Sequence, residues 1–214
     1  MRKILWMAGV SLAVQGALCA QAIPRVEVFG GYSYMRVRGY VAEESLLVPG
    51  SGDFAFPSFG SNGWSGSVAV NATHWLAGVA DIGGFSTIYN TNIIGGLVAI
   101  GMKEHSYLFG PRFSSRYKRW TLYAHALFGE AHAAVAIGGP EIVAPIVITE
   151  TKFAMAVGSG LDFTVYKQRY PSKGAGQQID IRLGQAEWFR TNFVGSRQDN
   201  IRLTTGVVFR FGHR

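Results

Sequence analysis

Residues 201–212 read I-R-L-T-T-G-V-V-F-R-F-G, and one parity differs in kind from the other. Ile201, Leu203, Val207, Phe209 and Phe211 share one parity with Thr205, while Arg202, Thr204, Gly206, Val208 and Arg210 share the other. A period of two places successive side chains on opposite faces of a strand. One face is therefore large and apolar, and the other is small or cationic. This split recurs along the chain, and few folds accept it. A soluble sandwich or lipocalin-like binder would turn the apolar faces inward. A membrane barrel would turn them out into lipid.

The start of the chain favours the second choice. Arg2 and Lys3 precede the apolar run 4–14, and Ala17-Leu18-Cys19-Ala20-Gln21-Ala22 follows. A basic start, a short apolar run and small residues before a break describe a cleavable secretory signal peptide. The expected division is a signal peptide over 1–22 and a barrel over 23–214, with cleavage after Ala20 or Ala22. The run is too short for a membrane anchor. Cys19 leaves with the peptide, so no disulfide and no thiol chemistry is expected in the mature chain. Removing Arg2 and Lys3 leaves 18 basic residues against 13 acidic, a net charge of +5. An exported chain does not meet nucleic acid, so anionic head groups or surface polysaccharide are the fitting partners for exposed charge. Charged residues make up only 15%, with 13% aromatic and 28 glycines. That balance argues for a β-rich chain rather than a helical enzyme.

Taken in order, the alternation predicts strands at 26–35, 63–71, 75–85, 105–114, 120–132, 152–166, 178–189 and 201–212. Glu27, Phe29, Gly31, Ser33 and Met35 oppose Val26, Val28, Gly30, Tyr32 and Tyr34. Asn71 to His74 and Ser115 to Lys118 read as tight turns, and 167–177 as a polar one. Three long connections, 36–62, 86–104 and 133–151, are expected as loops, and 190–200 as a last connection. The third is unusually apolar: it could lie on the outer leaflet, cover the mouth, meet a partner, or extend the β-ribbon above the membrane. Two stretches break the pattern. In 120–132, His125 and Glu130 cannot both face inward without a bulge; Leu122, Ala124, Ala126 and Phe128 are expected outward. Past Leu183 the parity slips, since Glu187 would otherwise face lipid.

The phrases V-E-V-F-G-G-Y-S-Y, G-W-S-G-S-V-A-V-N, Y-L-F-G-P-R-F-S, F-A-M-A-V-G-S-G-L-D and R-L-T-T-G-V-V-F-R-F-G together resemble the eight-stranded bacterial outer-membrane β-barrel family, the OmpA-like transmembrane barrels. The resemblance covers nearly the whole mature chain. It implies an all-β, antiparallel, up-and-down transmembrane barrel in the Gram-negative cell outer membrane. It also implies long external loops, short periplasmic turns, and outer-membrane lipids, lipopolysaccharide and the insertion machinery as partners. Such barrels usually end on an aromatic residue, whereas Phe211 is followed by Gly212-His213-Arg214. No peptidoglycan-binding part is expected after Arg214.

Two functional expectations concern the lumen and the rim. Glu27, Asp81, Asp162 and Asp180, with Arg112, Arg182, Arg202 and Arg210, fall on the inward parity. Opposite charges in a sealed lumen would pair, because a lone buried charge is too costly. They are expected to form a structural plug, the alternative being a narrow gated path for small solutes. At the rim, Glu130 and His132 share a face, the best arrangement available for a lipid-modifying enzyme; two polar residues at head-group level is the preferred reading. Neither metal-ligand spacing nor a phosphate-binding glycine loop is present. No catalysis, metal or cofactor is expected. The expected role is structural or in cell-surface interaction through the three long loops, with an extracellular ligand that the sequence does not name.

Overall fold

The structure is a computed structural model that describes residues 24–38, 40–42, 54–56, 58–93, 96–138, 146–168, 177–193 and 197–212. These residues form ten strands: β1 (Val26–Val37), β2 (Tyr40–Ala42), β3 (Phe54–Phe56), β4 (Phe59–Asn71), β5 (Leu76–Ile93), β6 (Gly96–Tyr117), β7 (Trp120–Gly138), β8 (Ile146–Lys167), β9 (Gln177–Thr191) and β10 (Gln198–Phe211). Eight close into an antiparallel barrel in the order β1-β10-β9-β8-β7-β6-β5-β4. β2 and β3 pair separately, Tyr40 with Phe56. The predicted signal segment lies outside the described residues.

Closure depends on β1 pairing with both β4 and β10. The last strand runs against the first from Val26↔Phe211 to Arg36↔Ile201. Starting at Asn71, direct partners lead around the wall through Ala77, Arg112, His125, Gly158, Glu187, Arg202 and Met35, and return to β4 at Ser61. The path closes ten residues from its start, which is the shear of the barrel. Eight tilted strands enclose a bore just wide enough for side chains to fill. Closure also leaves no unpaired strand edge in hydrocarbon.

The exterior decides which solvent surrounds the wall. Val28, Val68, Phe109, Leu122, Val157, Leu183, Leu203, Val207 and Phe209 are all exposed. In water they would be a large unfavourable patch; in a bilayer they are the matching surface. Aromatic belts bound this band. Tyr32, Trp64, Tyr107 and Trp188 lie toward the long-connection end, and Trp75, Tyr117, Trp120, Tyr166 and Phe211 toward the short-turn end. Trp64 lies over Gly84, where a Cβ would collide with the indole. Among the described residues no helix is long and apolar enough to cross a membrane; the strands cross it.

The second predicted loop is corrected by the strand lengths, and the third takes the ribbon-extension form among its stated alternatives. Most of 86–104 is strand, since β5 runs to Ile93 and pairs with β6 from Ile93↔Gly96 downward. Most of 133–151 is strand as well, with β7 and β8 paired up to Ile137↔Ile146. β6 also pairs with β7 as far as Ala99↔Gly138. Together β5 to β8 form a four-stranded sheet that continues the wall beyond the upper aromatic belt. The β-branched residues read as loop filler are what such a sheet requires. In the first connection, β2, β3 and the start of β4 are strand; residues 43–53 lie outside the described residues. The turn placed at 115–118 is displaced: β6 continues to Tyr117, which pairs with Trp120, and the chain reverses at Lys118 and Arg119. Lys118 has φ 54, the left-handed conformation that a two-residue reversal demands.

One bulge, in β9, sets which residues enter the lumen. One step along β8, Leu161 to Asp162, matches two along β9, Gly184 to Arg182. β10 makes the same jump, Thr204 and Gly206 facing Gln185 and Arg182. β9 therefore bulges at Leu183 and Gly184, both exposed, and parity inverts beyond them. Gln185 and Glu187 turn inward. In β7 there is no bulge: Thr121, Tyr123, His125 and Leu127 are buried and Glu130 is exposed. The possibility that Glu130 faces the lumen is thereby overturned.

Candidate functional site

The lumen holds two charge networks, stacked along the barrel. The lower lies toward the short turns and is centred on Glu27 and Arg210. Glu27 accepts from Arg112 at 2.6 Å and Arg116 at 2.8 Å, and its other cation is Arg210, with Nε at 3.3 Å. Asn71 Nδ2 donates to Glu27 Oε1 at 2.8 Å. Arg210 also reaches Asp162 at 2.9 Å and pairs with Asp180. Arg182 donates from Nε to Asp162 at 2.9 Å and from Nη1 to Gln185 at 2.7 Å. The Tyr123 hydroxyl donates to the same Gln185 oxygen at 2.6 Å.

The upper network is smaller. Arg202 Nη2 donates to Asp81 at 3.0 Å and to Glu187 Oε1 at 2.9 Å, while its Nε pairs with the other oxygen of Glu187. His125 Nε2 lies 2.7 Å from Glu187 Oε1, and Ser65 donates to Asp81 at 3.2 Å. The rings of Tyr123 and His125 stack at 5.9 Å and join the two levels. Arg182 lies over the Phe29 ring at 4.0 Å and over Tyr123 at 4.8 Å. Gly160 makes this possible, because a Cβ there would occupy the position of the Tyr123 phenol.

All eight sequence-predicted lumen residues are buried, but they divide. Asp81 and Arg202 belong to the upper network, and Glu27, Arg112, Asp162, Asp180, Arg182 and Arg210 to the lower. The sequence reading missed Glu187, Arg116, Gln185, Tyr123 and Asn71. Glu187 had a signal: a carboxylate on the lipid parity of a strand marks a bulge upstream. Arg116 had none, because it was assigned to a turn.

Between the networks lies a cavity of about 10 Å³ lined by Asp81, Arg112, Tyr123, His125, Leu127 and Arg182. That is room for about one water. Above the upper network, toward the long connections, Met35, Val37, Phe85, Phe189 and Phe193 form an apolar layer with Ala131, Ala133 and Ala154. Ion pairs thus fill the bore at mid-height, and toward the outer mouth the apolar side chains are interspersed with the buried polar groups of Glu104, Thr191, Gln198 and Asn200.

At the rim, Glu130 lies on the outer face between Tyr107 and Phe153. His132 faces His105 across β6 and β7, and its Nδ1 lies 2.8 Å from the Thr151 hydroxyl. No hydrogen bond joins Glu130 to His132 among the described contacts. No group of three or more metal-ligating side chains occurs among the described residues.

No family model and no curated protein matches the sequence. Solved structures do match by shape. The attachment invasion locus protein Ail of Yersinia pestis, solved in complex with the heparin analogue sucrose octasulfate, superposes with a TM-score of 0.52 at 15% identity, covering 86% of this chain and 99% of Ail. A second Ail structure gives 0.51 at 15% identity, with 87% and 99% covered. Neisserial surface protein A gives 0.50 at 12% identity, covering 87% of this chain and 97% of that one. The lipid-compatible exterior, the aromatic belts and this likeness agree, and the chain has the fold of the eight-stranded β-barrels of the bacterial outer membrane.

Proposed function

We propose that this protein is a sealed outer-membrane scaffold that presents its long β-ribbons and connections for cell-surface interaction, with no catalytic role. The observation that carries this reading is the contrast between bore and ribbons. Ion pairs and a largely apolar layer fill the described part of the bore, which supports a sealed barrel over a solute path. The β5–β8 sheet instead extends well past the upper belt, with Ile88 and Val147 exposed. The neighbouring Ail structure carries a sulfated heparin analogue, so a sulfated surface glycan belongs in any first panel of ligands. The lumen network is the plug that holds the scaffold shut. The rim pair Glu130 and His132 serves as two polar groups at head-group level.

The test pairs binding with permeability. Cells expressing the chain with residues 88–101 replaced by a two-residue turn should lose binding to host-cell surfaces or immobilised heparin. Their outer-membrane permeability should stay that of wild type. Unchanged binding together with raised permeability would contradict the reading.

A further inference from the structure

We propose that the short-turn mouth of the barrel is a binding site for the phosphate-bearing headgroup of an anionic phospholipid in the leaflet that faces the turns. A pocket of about 510 Å³ opens there, between the β6–β7 reversal, the end of β8 and the start of β9. Arg116, Lys118, Arg119 and Lys167 line it, with Thr121 and Gln178 on its inner wall. Arg25 is exposed at the same end. The described acidic residues at this end are Glu27, Asp162 and Asp180, all buried in the lower network and already paired. The rim therefore gathers Arg25, Arg116, Lys118, Arg119 and Lys167 at one end, while the described carboxylates there face the lumen.

The lower network supplies the back of the site. Arg116 spends Nη1 on the His74 carbonyl at 2.7 Å and Nη2 on Glu27, which fixes its guanidinium at the pocket edge. Its Nε is buried and donates to no atom of the described residues. Thr121 accepts from Arg210 at 3.1 Å, which orients its hydroxyl. A dianionic or diester phosphate matches this set: several donors, several positive charges and a polar floor.

The opening of the pocket points to a lipid rather than a soluble anion. β8 bulges between Thr164 and Tyr166, opposite Asp180 and Ile179. Val165 and Tyr166 are consequently both exposed on the lipid face, and both also line the pocket. Beside them Trp120 and Phe163 pack with ring centroids 4.7 Å apart. The pocket thus opens sideways onto the lower aromatic belt. A headgroup seated among the cations would lay its acyl chains over Tyr166, Phe163 and Trp120.

The test uses the full chain refolded into zwitterionic vesicles, with tryptophan fluorescence as readout. Phosphatidylglycerol carrying brominated acyl chains is titrated in, and phosphatidylcholine with the same chains is the comparison. Trp120 and Trp75 stand at the mouth and should be quenched at a lower fraction of the anionic lipid. A cation near an anionic leaflet is worth roughly fivefold in affinity. The triple variant Lys118→Asn, Arg119→Gln, Lys167→Gln should therefore lose the headgroup preference by at least about tenfold. Asn keeps the left-handed turn at 118, and none of the three side chains joins the lumen network, so heat-modifiable migration should be retained. Should the variant fail to fold, the wild-type comparison of the two headgroups still decides. Equal quenching by both lipids in wild type, or an undiminished preference in the folded variant, would overturn the proposal. Full displacement by excess inorganic phosphate would overturn lipid as the occupant.

Discussion

Arg202 shows what the lumen demands of a single residue. It is fully buried and pairs with both Asp81 and Glu187. Removing one partner from a buried ion pair leaves the others charged and unsolvated, which costs about 3–5 kcal/mol. Arg202→Met should lower stability by about that much, measured by urea unfolding in detergent micelles. Adding Asp81→Asn and Glu187→Gln to it should recover most of the loss. The reason is that an apolar and neutral set needs no counter-charge. Gly160 makes a second case. Gly160→Val would drive Tyr123 from its place, separating it from Gln185 and Arg182. A loss of about 2 kcal/mol or more is expected, in line with overpacking, read by the same unfolding experiment.

Among the elements, β9 is the informative one. Its bulge at Leu183 and Gly184 lets one strand place Asp180 and Arg182 inward below, and Gln185 and Glu187 inward above. Inserting one residue after Gln185 would turn Glu187 into lipid, a change of about 2–4 kcal/mol or less for an acidic side chain by depth, compounded by the stranded Arg202 and His125. Loss of the heat-modifiable folded band is the expected result. This element also marks where sequence legibility ended. Strand faces in β1, β4, β6 and β10, and in β8 as far as Thr164, were legible because alternation there is unbroken across the membrane. The slip in β9 was visible as a misplaced carboxylate, but its resolution needed the partners on both sides. The second connection was misread, and the third was left open between a loop and a ribbon extension, because membrane-spanning length was equated with strand length. Hydrophobic alternation stops marking a strand once both faces leave lipid. The eight lumen charges were placed by parity alone, whereas their partition into two networks depends on the shear, which no single strand contains.

At the scale of the whole molecule, the parts form one arrangement: an apolar exterior, a charged bore under a largely apolar layer, ribbons above and a basic mouth below. Each follows from keeping polar backbone and buried charge satisfied where water is absent. If the plug is sealed, reconstituted protein should give no steady conductance in planar bilayers, and Arg202→Ala should open at most brief events. The arrangement as a whole is tested most directly by single-cysteine spin-label scanning of residues 201–211 in lipid, in a Cys19→Ser background. Odd positions should be relaxed by oxygen dissolved in the bilayer, while even positions should be shielded from both oxygen and a water-soluble relaxing agent. Even positions freely reached by the water-soluble agent would show an open aqueous bore, and loss of the alternation would contradict the barrel wall itself.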